Sequence, residues 1–357
     1  MNLLMITRKI DADDWLTGHS YEWAKKISEQ LAAGGGKLFV ICLGKGNVAG
    51  LEGVEIHSLG KESGATRWQE FWRFQVLAFR LVRRCDGIFC HQNPEYAIAV
   101  WPAALIFGKS IVSWYTHKAV TWKTRAMLAA SRRVLTASRE SFRLASKKVK
   151  VLGHGIDTKK FQASSSKLQV PSFKFKIITV GRISPVKNLE ALISAINILV
   201  NEKRLENIVL EIFGIAATSQ DQGYLDSLQM LVKKANLEKF VSFKGAIPHS
   251  QIAGVYQSAE LFVNLSATGS VDKAVLEAAA CEVPVVTSNE AFFEMLKPFE
   301  ELCLVKASAA DVAEKLGRQI ALSDSDRQAL GANLRRIVVE NHGLNRLAKE
   351  IVENIKL

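Results

Sequence analysis

The 357-residue chain has no long apolar run. The longest, "YAIAVWPAALIF" at 96–107, falls short of the roughly 18–20 residues that cross a bilayer, and Pro102 interrupts it, so no spanning helix is expected. The opening "MNLLMITRKIDADDW" lacks a basic segment, a long apolar core and a small-residue cleavage site; no signal peptide is expected, and the cytoplasm is the expected location. Cysteine is scarce and odd in number. Cys42, Cys85, Cys90, Cys281 and Cys303 sit mostly among apolar neighbours, and the nearest pair has no second pair or histidine at zinc spacing, so buried reduced thiols are expected. No G-x-x-x-x-G-K-[ST] occurs, which excludes a P-loop. "LGKGNVAG" at 43–50 follows a strand-like run, but a turn and another strand come next where a dinucleotide fold needs a long helix.

Basic charge is present in excess and unevenly placed. Residues 1–170 hold 26 Lys and Arg against 13 Asp and Glu, a net +13, whereas residues 171–357 hold 21 against 22, a net −1. Such asymmetry points to an anionic partner for the first half: a membrane surface, a phosphorylated acceptor or nucleic acid. The chain length favours two domains.

Apolar runs alternate with helical spacing throughout. "NLLMIT", the helix pattern "SYEWAKKISEQLAA", its "GGG" stop and "KLFVICLG" form a βαβ start, which implies a parallel sheet covered by helices. The pattern continues through a helix at 67–84, "GIFCH", a helix near 94–107, "SIVSWYTH", a helix near 121–130 and "RVLTAS". "QASSSKLQVPS" at 162–172 reads as a linker. A second series follows: "KIITVG", a helix at 187–203, "IVLEIFG", "VSFKG", "LFVNLS", a helix at 273–281 and "PVVTS". The expected fold class is α/β, two Rossmann-like halves with domains at 1–165 and 172–339, the first completed by a helix at 340–357.

Two stretches carry most of the chemistry. In "TVGRISPVKNLEALISAINIL" at 179–199 a strand ends at Gly181, and Arg182 and Lys187 flank a proline turn before a helix. Two cations and unpaired N–H groups at the carboxyl edge of a strand suit a phosphate or diphosphate. In "LFVNLSATGSVDKAVLEAAACEVPVV" a small-residue loop leads into a helix holding one acid, Glu277, which either favours the helix dipole or accepts hydrogen bonds from a vicinal diol such as ribose. Among the aspartates, Asp11, Asp13 and Asp14 follow strand one, where such sheets open onto a ligand crevice. "DSD" at 324–326 lies in a polar loop where Asp324 is expected to cap a helix.

The ordered series "VGR-x4-K", "FG", "VSFKGAIPHSQIAGVYQSAELFVNLS" and "LEAAACEVPVV" resembles the donor domain of family 4 retaining glycosyltransferases of the GT-B fold over most of 177–288. "LTGHSYEWAKKIS", "SWYTHK" and "VLGHGIDTKKF" resemble the first domain of that family more loosely, and the final helices its returning tail. The resemblance implies two domains facing a central cleft, a nucleoside-diphosphate sugar as donor, a glycan or lipid-linked acceptor, and no metal or cofactor. It assigns the diphosphate to Arg182 and Lys187, the ribose to Glu277, and the neighbourhood of the anomeric carbon to His117. Gly18, Gly181, Gly214, Gly269, Ser270, Val271 and Lys273 complete the donor set. Asp11, Asp14 and His19 are the acceptor candidates. One departure stands out: eight positions before Glu277, where the family has a second glutamate that contacts the sugar, this chain has Gly269. Ser270, Asp272 and Lys273 are the polar side chains left for that task, and a non-catalytic, membrane-associated binding protein on a degenerate scaffold is the rival reading.

In the basic half, "RWQEFWRFQVLAFRLVRR" at 67–84 mixes aromatics with five arginines, and 123–150 adds a basic run against the single acid Glu140. The first reads either as a core-packed helix with a basic rim or as a membrane-surface helix. No recognition motif or stacking platform supports nucleic acid.

Overall fold

A computed structural model describes residues 1–14, 18–163, 174–248 and 250–356. Most of the 162–172 linker lies outside the described residues. Backbone contacts divide the chain into two units, Met1–Asp157 with Asn341–Leu357, and Thr158–Glu340.

The first unit is built on seven strands: β1 Leu3–Ile10, β2 Leu38–Lys45, β3 Val54–Ser58, β4 Gly87–His91, β5 Ser110–Trp114, β6 Arg133–Thr136 and β7 Val149–Val151. They pair in parallel in the order β3-β2-β1-β4-β5-β6-β7. β1, β2, β4 and β5 read as continuous apolar runs because helices cover both faces of such sheets. α1 Gly18–Ala32, α2 Arg67–Val82, α3 Pro94–Ile106 and α4 Trp122–Ala130 are the crossovers. α2 starts at a capping box in which the Thr66 hydroxyl accepts the Gln69 N–H and the Gln69 side chain accepts the Thr66 N–H. The strand order reverses between β1 and β4, so the crevice at their carboxyl ends is where a ligand sits in a sheet of this kind. The helix Leu344–Lys356 buries Leu347, Ala348 and Ile351 in this unit, and Ile156 and Gly343 form a parallel bridge that pins it.

The second unit has β8 Phe175–Val180, β9 Ile208–Phe213, β10 Val241–Gly245, β11 Leu261–Asn264 and β12 Val285–Thr287, parallel in the order β10-β9-β8-β11-β12. α5 Leu189–Asn197, α6 Ser219–Lys234, α7 Ile252–Gln257, α8 Lys273–Ala280 and the helix Ala309–Ile320 surround it. Ile177, Leu210, Leu261 and Val263 from the sheet pack with Leu192, Ile196, Leu228 and Leu316 from the helices.

Three local expectations need correction. The helix expected over 187–203 is broken into a 3-10 turn at Pro185–Lys187, then α5, then a π-type segment at Ile198–Glu202. Asn188, at φ 48°, is left-handed and separates the first two. The strand "SIVSWYTH" stops at Trp114, so His117 lies in the loop beyond it. Asp324 is not the cap of its helix: the Ser323 hydroxyl accepts the Asp326 N–H at 3.1 Å, and Asp324 instead pairs with Arg327 one turn on.

All five cysteines are buried free thiols, and burial pushes Cys42, Cys85, Cys281 and Cys303 up to about 12. Among the described residues no helix is long and apolar enough to cross a membrane.

His342 makes the first unit sensitive to acid. Its Nδ1 accepts the His154 N–H at 2.9 Å and must therefore be unprotonated, and burial, then the Arg346 charge, lowers its pKa to about 4. A histidine whose folded pKa lies below its unfolded value near 6.5 contributes stability that is complete above that value and is lost as pH falls toward 4. The contribution is about 3 kcal/mol. Urea midpoints measured between pH 7.5 and 4.5 should therefore fall less steeply in His342→Gln than in the parent; equal slopes would remove His342 from the account.

Candidate donor-binding site

The site in the second unit grows from three loops at the carboxyl ends of β8, β9 and β11. After β8 the backbone turns at Gly181, φ 149°, whose N–H still bonds to the Phe213 carbonyl at 3.0 Å. After β9, Gly214 at φ 145° passes so close that a Cβ there would lie 1.8 Å from the Gly181 carbonyl oxygen. The two glycines let neighbouring strand ends converge, and the convergence leaves Arg182 exposed at the rim, with Lys187 half-buried beside it.

The β11 loop closes on the same spot. The Ala267 N–H bonds to the Val186 carbonyl at 3.0 Å, which locks the loop to the turn that carries Lys187. Lys187 is paired with Asp272, whose Oδ2 also accepts the Asn264 side-chain amide at 2.9 Å. Asp272 is thus tied through one carboxylate oxygen to both the cation and the amide. Gly269 is left-handed at φ 62°, and Val271 is buried. The Ser270 carbonyl accepts the Asn289 amide at 2.9 Å, so this loop is held by side chains from two strand ends.

Glu277 lies in the second turn of α8 and is 8% exposed. The Tyr256 hydroxyl donates to its Oε2 at 2.9 Å. Tyr256 is completely buried, and burial followed by the nearby Glu277 charge raises its pKa well above the usual phenol value, keeping it a donor. Lys273 opens α8 directly after Asp272. Gly181, Arg182, Lys187, Gly214, Gly269, Ser270, Val271, Lys273 and Glu277 therefore belong to one sheet edge and the helix beside it.

The first-unit candidates fall into separate small groups. Gly18 starts α1. His19 meets His91 edge-on at 5.6 Å and approaches Gln92 at 3.3 Å, at the carboxyl end of β4 where the strand order reverses. Gln92 itself is left-handed at φ 74°, a strain common beside functional sites. Asp11 and Asp14 share Lys9, at 2.7 and 2.6 Å, and their hydrogen bonds hold the ammonium above its ordinary pKa. Asp11 also accepts the N–H groups of Asp13 and Asn47, each at 3.1 Å, so it organises its own loop. His117 packs edge-on against Tyr115 at 5.4 Å; its side chain reaches solvent, yet desolvation by neighbouring atoms lowers its pKa.

Residues 160–336 match the sequence profile of the family Glycosyl transferases group 1. The second unit is a group 1 glycosyl transferase domain. Among relatives of this chain is the D-inositol 3-phosphate glycosyltransferase of Kineococcus radiotolerans, 30% identical over 148 residues, 40% of this chain and 34% of that one. Another is the alpha-monoglucosyldiacylglycerol synthase of Streptococcus pneumoniae, 25% identical over 206 residues, 54% of this chain and 45% of that one. The match spans about a third to a half of the length of these curated relatives. The crystal structure of Anabaena HepE in complex with UDP superposes with a TM-score of 0.79 and 16% identity, covering 100% of both chains. The fold is GT-B, built from two Rossmann-like units.

Sequence reasoning missed Asn264 and Asn289 in this group 1 site and passed over Tyr256 as a bare feature of the pattern. The available signal was polarity: Asn264 ends an otherwise apolar strand, and Asn289 follows one closely.

Proposed function

We propose that this chain transfers a sugar from a nucleoside-diphosphate sugar to a hydroxyl of a glycan or glycolipid acceptor, with retention of configuration. The observation that carries the reading is the convergence of Arg182, Lys187 and the Tyr256-held Glu277 at one sheet edge, in the unit that matches the family. In this reading Glu277 accepts hydrogen bonds from the ribose, its carboxylate fixed by Tyr256. Arg182 and Lys187 take up negative charge on the diphosphate as the glycosidic bond lengthens, a charge role that in this proposal needs no metal. The bond from the anomeric carbon to the diphosphate breaks, a bond from that carbon to the acceptor oxygen forms on the same face, and the acceptor proton passes to the departing phosphate. The Gly269–Asp272 loop holds the sugar through backbone groups and Ser270, in place of the glutamate that Gly269 replaces.

Solved relatives of the same fold carry UDP and UDP-glucose, and relatives in sequence include an alpha-monoglucosyldiacylglycerol synthase and an O-antigen chain mannosyltransferase. These support a cell-envelope acceptor reached at the inner face of the cytoplasmic membrane, against which the basic first half would lie. The test is incubation with UDP-, GDP- and ADP-sugars, with and without lipid extract, following free nucleotide. Release with one base, increased by the extract, is the expected result; no release with any donor under either condition would sink the proposal.

A further inference from the structure

Helix α2 is apolar on two sides. Phe74, Ala78, Leu81 and Val82 are buried in the first-unit core. On the flank beside that stripe Trp68, Phe71, Trp72, Val76 and Phe79 recur at three- and four-residue spacing and stay exposed, Trp68 by 73% and Trp72 by 62%. A helix on the surface of a globular unit needs only the first stripe, and a second contiguous one marks an interaction surface. The aromatic rings form a ridge, with edge contacts from Trp68 to Phe71 at 6.3 Å and from Phe71 to Trp72 at 5.6 Å. A depression of about 320 Å3 lined by Arg67, Trp68 and Phe71 opens beside it.

α3 extends this face. Phe79 meets Phe107 edge-on at 6.2 Å, and the Gln75 side chain donates to the Ala99 carbonyl, joining the two helices. Leu105 and Ile106, 64% and 65% exposed, thereby continue the apolar surface at the end of α3. Arg67, Arg80 and Arg83 are exposed along the same helix or directly after it, and Glu70 is the one acid within α2.

We propose that α2 and the end of α3 form a docking face for a lipid bilayer rich in anionic headgroups, with the tryptophans at headgroup depth and the arginines on lipid phosphates. The charge pattern selects this occupant. A second copy of the chain related by a twofold axis would bring the same arginine set against itself, which is repulsive, whereas an anionic surface complements it. The inference deepens the membrane-facing reading of the basic half and is independent of donor chemistry, so a failure of either leaves the other standing.

The test is flotation of the full chain with vesicles of phosphatidylcholine alone or of phosphatidylcholine with phosphatidylglycerol. The parent should float with the anionic vesicles, and Trp68→Ser/Trp72→Ser and Arg80→Glu/Arg83→Glu should each weaken binding by about tenfold or more. Because these side chains are exposed, thermal melts of both variants should match the parent, which separates lost binding from lost folding. Brominated acyl chains should quench the parent's tryptophan emission more strongly than that of the tryptophan variant. The proposal is overturned if the parent does not float, if it floats equally with neutral vesicles, or if both variants float like the parent. A dimer that dissociates in the tryptophan variant without any lipid binding assigns the face to a second copy and also overturns it.

Discussion

Lys187→Ala is expected to lower donor turnover by about 10²–10³-fold, the usual cost of removing one preorganised group that stabilises charge in a transition state. On the proposed reading the Asp272 pairing adds to that loss. Asp272, held by Asn264 as well as by Lys187, would remain as an uncompensated carboxylate at the proposed diphosphate site. Arg182→Ala should cost less, because Arg182 lies at the exposed rim, while Lys187 is half-buried and pinned. The pairing also predicts non-additivity: Lys187→Ala/Asp272→Asn should recover part of what Lys187→Ala loses, because the second change removes the orphaned negative charge. Nucleotide release under single-turnover conditions measures all four chains. Wild-type rates in both Lys187→Ala and Arg182→Ala would remove the diphosphate assignment.

Gly214→Ala is expected to destabilise the second unit by more than about 3 kcal/mol, or to shift the turn that carries Arg182. The new Cβ would fall 1.8 Å from the Gly181 carbonyl oxygen and 2.9 Å from its carbon. Neither backbone can retreat cheaply, because the Gly181 N–H is bonded to Phe213 and the Gly214 N–H to the Gly245 carbonyl at 2.8 Å. The backbone at φ 145° adds a second penalty for any side chain. Gly223→Ala is the control: this residue lies within α6 with open space around its Cβ direction, so the change should stabilise by about 0.8–1 kcal/mol. Urea denaturation of the two variants should move the midpoint in opposite directions. A Gly214→Ala protein with parent stability and parent donor affinity would contradict the close approach.

The parallel α/β architecture was legible because each element declares itself locally: apolar runs such as "LLMI" and "IFC" for strands buried on both faces, and helical spacing between them. Arg182, Lys187 and Glu277 could be picked out for the same reason, each standing at a fixed offset from a strand end or helix start. The break in the helix expected over 187–203 could not, since it depends on one asparagine taking a left-handed backbone that the spacing does not reveal. Nor could the cation's counter-ion. Lys187 and Asp272 are 85 residues apart, Tyr256 and Glu277 are 21 apart, and neither pair shares an element. Two neighbouring stripes of α2 read as apolar, and packing alone determined that Phe74 went inward and Trp72 outward.

The sequence by itself determined the strands, the helices and the residue types at the candidate site, because backbone preference and hydrophobic period act over a few neighbouring residues. Only the tertiary structure decided which strand ends meet, that Gly214 presses on Gly181, that Asp272 serves Lys187, and which apolar face stays uncovered. Those outcomes depend on how parallel crossovers bring distant loops to one sheet edge, and contacts of that kind are set by the packing of the whole unit.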